Sequence, residues 1–525
     1  MRKYSWKKVA TAAVLGAALL MTGCTADSGP EPNGDAGDGA SQALKVRLYS
    51  GMATTDPFPE TSAPGWHLLR HVYEGLFALD VNLDPQPLLA ESYEVSDDGM
   101  TVDIALRDDV TFHNDKKMTA DDVAYSLNYY VKNAANKRYL GAVDTVTKTD
   151  ELNIQIKMKN PSGSIIADLA NPIVVPIVPE GSAEDSALVT KPIGTGPYYI
   201  ESFDPQVRAV LKKFDKYVSL KGEASGLAGK REAKIGTLEW IYTSDDSVAV
   251  AGLEAGDFDV VVHVPGQEAD RLSKQDGLQI LKAPGASWVA IGINVSKGPL
   301  ADVEVRKALV YATDPTVMLE TISFGQGRDV HSYNPVEASW FREGKTNYWP
   351  YAFDVAKAKG ILAKTGYNGE PIEIIAGAPP YQEQNAVILQ QQAMAAGFNI
   401  KVDKLEHTTF IERLQKGDFE LYSAAGPFAA TADQFYSQFY CGGGSISNRF
   451  GYCNPKYDAI FESASVELDA DKRNDAFAEL EVILKDDAVV LPLYVNNFIL
   501  GARDYVSGLT VNPFDWVLLW NVSMK

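Results

Sequence analysis

Short runs of alternating apolar and polar residues recur along the chain. Residues 45–49 (KVRLY) read as a first strand, and 101–106 put Val102, Ile104 and Leu106 on one face. The same alternation predicts strands at 153–158, 198–203, 207–212, 238–242, 259–262, 289–295, 372–376, 398–402, 419–424 and 489–495, with a strand end or edge at 174–178 interrupted by Pro176. Between them the period lengthens to that of a helix. Residues 63–76 gather Trp66, Leu69, Tyr73 and Leu76 on one side, and 302–314 gather Val305, Ala308, Leu309 and Ala312. Thr119 followed by Asp121 and Asp122 predicts an N-cap and a helix to about 131. Helices are also predicted at 244–255, 354–365, 383–396, 410–416 and 472–486, several of them closed by glycine (Gly256, Gly366, Gly397). Strands and helices alternating without a repeat predict α/β lobes.

The first residues break this pattern. Arg2, Lys3, Lys7 and Lys8 precede an apolar or small run over 9–21, which ends in Met21-Thr22-Gly23-Cys24. That is the charged start and short apolar region of an export signal, too short to span a bilayer comfortably. It resembles a bacterial lipobox, which implies cleavage after residue 23 and acylation of Cys24. Residues 25–44 are Gly, Pro, Asp and Ser with almost nothing to bury, a flexible tether that reaches ~60–70 Å when extended. No later segment approaches 18 uninterrupted apolar residues, so the only membrane attachment expected is the lipid.

The formal charge of −21 becomes −25 once the four basic residues of the signal are gone. So acidic a body argues against nucleic acid and against anionic lipid surfaces as partners. About 480 mature residues exceed one compact core and predict at least two lobes. Outside the cytoplasm, Cys441 and Cys453 are expected to form a disulfide around Gly442-Gly443-Gly444.

Motifs for catalysis are missing. There is no Gly-x-Ser-x-Gly, His-Glu-x-x-His or Cys-x-x-Cys, and Gly344-Lys345-Thr346 lacks the first glycine of a P-loop because position 339 is Ser. His67 and His71 stand four apart on a predicted helix, but Leu68 replaces the metalloprotease base, and no metal or cofactor is expected. A glycosidase acid pair has no distinguishing spacing, which leaves a secreted hydrolase as the alternative from another class.

Five segments in order carry a resemblance. They are Leu88–Tyr93 followed by Ser96-Asp97-Asp98-Gly99; Leu106 to Asp115 with Met118 to Ser126; Gly194-Thr195-Gly196-Pro197-Tyr198; Asn294 with Val305 to Leu309 and Ala312-Thr313-Asp314; and Asn448 to Asp458 (NRFGYCNPKYD). Together they resemble the family-5 extracellular solute-binding proteins of ABC importers, the peptide- and nickel-binding family, over about residues 45–510.

The resemblance implies no enzyme activity. It implies an α/β, two-lobe fold of the periplasmic-binding-protein type, with an extra subdomain and a hinge of two crossing segments near 286–298 and 494–500. The implied boundaries are a signal at 1–23, a lipidated tether at 24–44, lobe I at 45–290 plus 497–525 with the extra subdomain at about 85–190, and lobe II at 291–496. Implied partners are a permease and an ATPase, with the protein itself a monomer on the outer face of the membrane. The implied ligand is a short peptide or peptide-like molecule, with oligosaccharide, opine or metal chelate as alternatives in the same fold.

The peptide-binding members carry an acid for the peptide ammonium before the last motif. Here Phe428 falls at that position, with Asp433 as a substitute or as the start of a helix. Placement in loops and near the hinge adds Trp288, Tyr333, Trp340, Tyr436, Asn448 and Arg449 as candidate ligand contacts. Arg138 is the candidate partner for a ligand carboxylate.

Overall fold

A computed structural model describes residues 43–171, 175–330, 332, 338–342, 352–377, 379–425, 429, 431–441, 447–512 and 515–525. Cys24, Tyr333 and Phe428 lie outside these residues. The described residues form one compact unit.

Its backbone is a single 11-stranded sheet. From one edge the order is Asn399–Lys404, Pro371–Ala376, Leu421–Ala425, Leu278–Ile293, Val490–Arg503, Val260–Val262, Ala43–Leu48, Thr237–Tyr242, Arg208–Lys213 and Tyr198–Asp204, and Gly327–Asp329 adds to Val490–Arg503. Two strands are far longer than the rest. Leu278–Ile293 and Val490–Arg503 pair antiparallel, from Leu278 opposite Arg503 to Gly292 opposite Val490. The ladder shifts register between Pro284 and Trp288 and again between Val289 and Ala290.

These two strands lie between separate hydrophobic cores. One core, around Leu44, Trp66, Tyr73 and Trp240, fills the lobe built on Ala43–Leu48. Others, around Ile291, Leu309 and Leu389 and around Phe435, Phe461 and Phe477, fill the lobe built on Pro371–Ala376. The molecule is therefore a two-lobe α/β protein.

The first lobe carries a subdomain with its own antiparallel sheet, in the order Ala90–Val95, Thr101–Leu106, Asn153–Met158, Val143–Lys148. The helix Ala120–Asn133 packs on it, and Asn128 reads the Val146 backbone from both sides (Nδ2 to the carbonyl at 2.7 Å, amide to Oδ1 at 3.1 Å). The helix starts where the sequence predicts. Asp122 Oδ2 accepts the amide and the hydroxyl of Thr119, both at 2.9 Å, closing a capping box.

Some expected elements differ. The helix predicted at 63–76 stops at Leu69, because the chain turns there to let Gly194 and Gly196 approach the carbonyls of Val72 and His71. Residues 175–178 are not a strand; Val178 pairs instead with the Ser126 hydroxyl. The two long strands extend well beyond the predicted 289–295 and 489–495. Pro284 and Pro492 interrupt the pattern, yet their positions tolerate a missing amide at the register shifts.

Candidate functional site

The lobes meet where two short helices face each other. Ile165–Leu169 belongs to the subdomain, and Ser164 ahead of it donates to Asp168 Oδ2 at 2.7 Å. Ala432–Tyr436 belongs to the second lobe, capped by Thr431, whose hydroxyl accepts the Gln434 amide. Across the seam Gln434 Nε2 donates to Asp168 Oδ1 at 2.7 Å, and Asn171 Nδ2 reaches Gln434 Oε1 at 3.3 Å.

Burial pushes the Asp168 carboxyl up to about 7, with Asp433 adding to the rise, against the lowering effect of the Ser164 and Gln434 hydrogen bonds and of Arg473. Burial also raises Asp433, which accepts the Ser465 hydroxyl. Arg473 donates to the carbonyls of Glu467 (3.0 Å) and Leu468 (3.3 Å).

Gly163 brings the two lobes close together. A Cβ added there would stand 2.2 Å from the Glu467 carbonyl oxygen and 2.5 Å from an Arg473 nitrogen. Only a residue without a side chain lets the two backbones meet in this way.

Beside this contact lies a cavity of about 580 Å³. Tyr93 and Ser164 line it from the subdomain, and Asp433, Leu468 and Arg473 from the second lobe, with Trp340 between them. The Trp340 indole nitrogen is buried without a hydrogen-bond partner. Aromatic faces, an unsatisfied donor and charges of both signs suit a small amphipathic solute.

Of the candidate contacts, Trp340 and Asp433 share this cavity. Trp288 is buried nearby and meets Phe435 edge-on, with ring centroids 5.9 Å apart. Tyr436 lies inside the second core, stacked on Phe477 at 5.6 Å, with its hydroxyl on Glu481 at 3.1 Å. Glu481 is raised by burial, is countered by Lys485 at 2.9 Å, and also accepts from Ser332 at 3.0 Å. Arg449 covers Phe450 at 4.8 Å and donates to Gln438. Asn448 sits in the turn Ser447–Phe450; its side chain is outside the described residues. Arg138 is exposed on the turn Lys137–Leu140, over the Tyr139 ring, and away from the cavity.

Cys441 and Cys453 are joined in a disulfide, with Cα atoms 5.0 Å apart. With Asp458 they form the one compact group of potential metal ligands among the described residues, but the disulfide occupies both sulfurs. His67 and His71 are fully buried and accept backbone amides of Val517 (3.3 Å) and Leu519 (3.0 Å). They clamp the C-terminal segment.

Asp168, Gly163, Gln434 and Arg473 were not among the sequence candidates. A contact 266 residues long has no local signature, and Gln434 and Gly163 occupy unremarkable positions in the chain.

Two α/β lobes joined by a pair of long strands, with a solute-sized cavity at their seam, define a binding protein that encloses its ligand. Residues 84–447 match the model of the bacterial extracellular solute-binding proteins, family 5 (middle), and the chain belongs to that family. It is a binding protein and not an enzyme. The glutathione-binding protein GsiB of Salmonella paratyphi A is 24% identical over 491 residues, covering 90% of this chain and 93% of that protein. The dipeptide-binding protein DppE of Bacillus subtilis is 23% identical, covering 96% and 97%. Among solved structures, the binding protein AgaA of A. tumefaciens R10 with agropinic acid superposes with a TM-score of 0.77 at 22% identity, covering 92% of this chain and 99% of that one. A dipeptide-binding protein of Pseudoalteromonas sp. SM9913 with Met-Leu gives 0.76 at 20% identity, covering 92% and 100%.

Proposed function

We propose that this chain is the solute-capturing subunit of an ABC importer and that its cargo is a short peptide or peptide-like molecule. One observation carries the reading: the Gln434–Asp168 hydrogen bond, with Gly163 against Glu467, closes the seam over a solute-sized cavity. Relatives that are glutathione- and dipeptide-binding proteins supply the class of cargo. Motion does the work. Contacts from both lobes favour closure, and the closed form is what a permease with its ATPase recognises.

The hinge is the pair of long strands. Lobe I is 45–290 plus 497–525, with the subdomain at about 85–190, and lobe II is 291–496. Trp340 and Asp433 border the ligand space and Trp288 and Tyr436 support it from the core; Tyr333, Phe428, Asn448, Arg449 and Arg138 stay candidate contacts on the sequence argument alone. The protein acts as a monomer. A signal at 1–23 exports it, and a lipid on Cys24 holds it on the outer face of the membrane.

A second reading keeps the mechanism and changes the cargo to an opine-like acid. The AgaA complex with agropinic acid favours it, as does Phe428 at the position of the ammonium-binding acid.

Small-angle scattering of the mature protein with a pool of di- to tetrapeptides tests capture. The radius of gyration falls with peptide if the reading holds; no change with any pool that binds would overturn it. Replacing Cys24 with Ser tests the anchor: palmitate label disappears and the protein enters the medium.

A further inference from the structure

Asp515 lies in the C-terminal segment beside the two long strands. The segment is fixed on both sides of it. Asn512 accepts the Asp515 amide at 3.3 Å through its carbonyl and donates to the Trp516 carbonyl at 2.6 Å. His67 and His71 hold Val517 and Leu519. The Asp515 backbone takes φ +61°, the left-handed region that residues with a side chain seldom adopt.

Asp515 is half-buried, with one carboxylate oxygen withdrawn from solvent. Oδ1 is buried and has no hydrogen-bond partner, whereas the carboxylates of Glu74 and Asp259 in the same lobe are answered, Glu74 by Arg231 and Asp259 by the Tyr505 hydroxyl and the Lys45 amide. It points at the break in the hinge ladder between Pro284 and Trp288. A Cβ added to Gly285 would lie 2.6 Å from Oδ1, 3.0 Å from Oδ2 and 2.9 Å from the main-chain oxygen of Asn496. The carboxylate thus fills the space that Gly285 leaves, and a carbonyl oxygen faces the same point.

Three oxygens converge there, and one of them, Asp515 Oδ1, has no donor. Burial alone drives the Asp515 carboxyl up to about 7, the expected response of an acid that lacks a partner. Its charge reaches Tyr49, at the end of the first strand, and adds to the burial that lifts that phenol to about 12.

We infer that Asp515 is an acidic anchor at the hinge, apart from the residues that line the cavity beside Gly163, taking a cationic nitrogen of the ligand (a primary ammonium or guanidinium) with the Asn496 carbonyl as a second acceptor. The inference rests on the solute-capture reading above. A cation with several N–H groups satisfies converging oxygens in a way that one neutral donor cannot. It also gives the site an acid from lobe I, whereas Phe428 leaves the usual place in lobe II without one. Because Asp515 lies against Gly285 of one long strand, at a point that the Asn496 oxygen of the other also faces, a cation bound there bears on the segment that bends.

The experiment presents three pools to the full mature protein and reads retention by native mass spectrometry. They are free-amine di- to tetrapeptides, the same peptides N-acetylated, and a set of neutral oligosaccharides with dicarboxylic acids. Asp515→Asn keeps the shape and removes the charge. Gly285→Ala puts a methyl where the carboxylate lies. Circular dichroism and melting verify the fold of each.

The expected result is retention of free-amine peptides by wild type, weakened tenfold or more in D515N and in G285A, with little retention of the acetylated pool. Equal retention of free-amine peptides by wild type and a folded D515N would overturn the anchor. So would retention of acetylated or neutral solutes unaffected by D515N; in both cases solute capture itself stands. Wild type retaining nothing from any pool would overturn the capture reading together with the anchor. If D515N does not fold, G285A decides the matter by the same comparison.

Discussion

Gln434 of the second lobe donates to Asp168 of the first across 2.7 Å, and the acceptor is an acid whose pKa burial has raised to about 7. Near neutral pH the bond is therefore only partly charge-assisted. A hydrogen bond of this kind contributes about 1 kcal/mol net, and up to ~3 when its acceptor is charged. That is enough to bias closure without making it irreversible. Replacing Gln434 with Ala should weaken a peptide that the wild type binds by roughly tenfold, about 1.4 kcal/mol. The melting point should hardly change, because each lobe keeps its own core. Calorimetric titration beside a thermal melt separates the two effects. An unaltered affinity would remove this contact from the closing force.

Gly163 allows a stronger intervention. Its bare Cα faces the Glu467 carbonyl, where a Cβ would intrude to 2.2 Å. Main-chain oxygen cannot rotate away as a side chain can. Gly163→Val should leave both lobes folded and hold them apart. Scattering should then give the same radius of gyration with and without saturating peptide, and affinity should fall by tenfold or more. Normal compaction of this variant would show that the seam is not formed in the closed protein.

Much of the first lobe was legible because its signals are local. Thr119 and Asp122 stand three apart and form the capping box, and Val102, Ile104 and Leu106 alternate because one face of their strand is buried. The long strands were half legible. Pro284 and Gly285 argue against a strand, yet both fall at a break in the ladder where neither an amide nor a side chain is needed. Nothing local marks Asp168, Gln434 or Asp515. Each matters through a partner brought from far along the chain, and periodicity carries no information about that. Trp340, a large aromatic in an irregular loop, lines the cavity, whereas Tyr436, chosen for its place beside the Gly-rich disulfide loop, lies in the core.

His113 should give the fold a pH signature. Its Nδ1 accepts the Gly194 amide at 3.2 Å while Nε2 donates to the Gly196 carbonyl at 2.9 Å, so the ring clamps the Gly194–Pro197 turn in its neutral form. Protonation would set an N–H against an N–H. Burial holds the ring down at about 4. The unfolded chain takes up this proton near pH 6.5 and the folded one only near 4. The contribution is therefore complete above about 6.5 and is lost as pH falls toward 4. Its ceiling is roughly 3 kcal/mol. Asp168 and Asp515, raised to about 7, act in the opposite direction over the same range, so wild type alone cannot reveal it. The difference between wild type and His113→Gln can. In urea melts that gap should narrow by about 1.4 kcal/mol per pH unit below 6.5. A gap constant from pH 7.5 to 4.5 would mean that the ring is not the clamp described.

The disulfide offers a separate test of the second lobe. Cys441 and Cys453 are 12 residues apart, and the link ties the end of the Ala432–Tyr436 region to the start of the helix Pro455–Ser465. Asp458 on that helix accepts the Cys441 amide at 3.1 Å, so the join is not covalent alone. Closing a loop of this size restricts the unfolded chain by about 3 kcal/mol. Replacing both cysteines with serine should lower stability by roughly that much or somewhat less, since the Asp458 contact survives. It should also loosen the helix that carries Asp433 and Gln434, and so weaken peptide binding more than Gln434→Ala does. Denaturant melts in oxidising and reducing buffer check the first claim, because wild type in reductant should match the double serine variant in either buffer. Titration checks the second. A reduced protein as stable as the oxidised one would show that the second lobe holds this corner by packing alone.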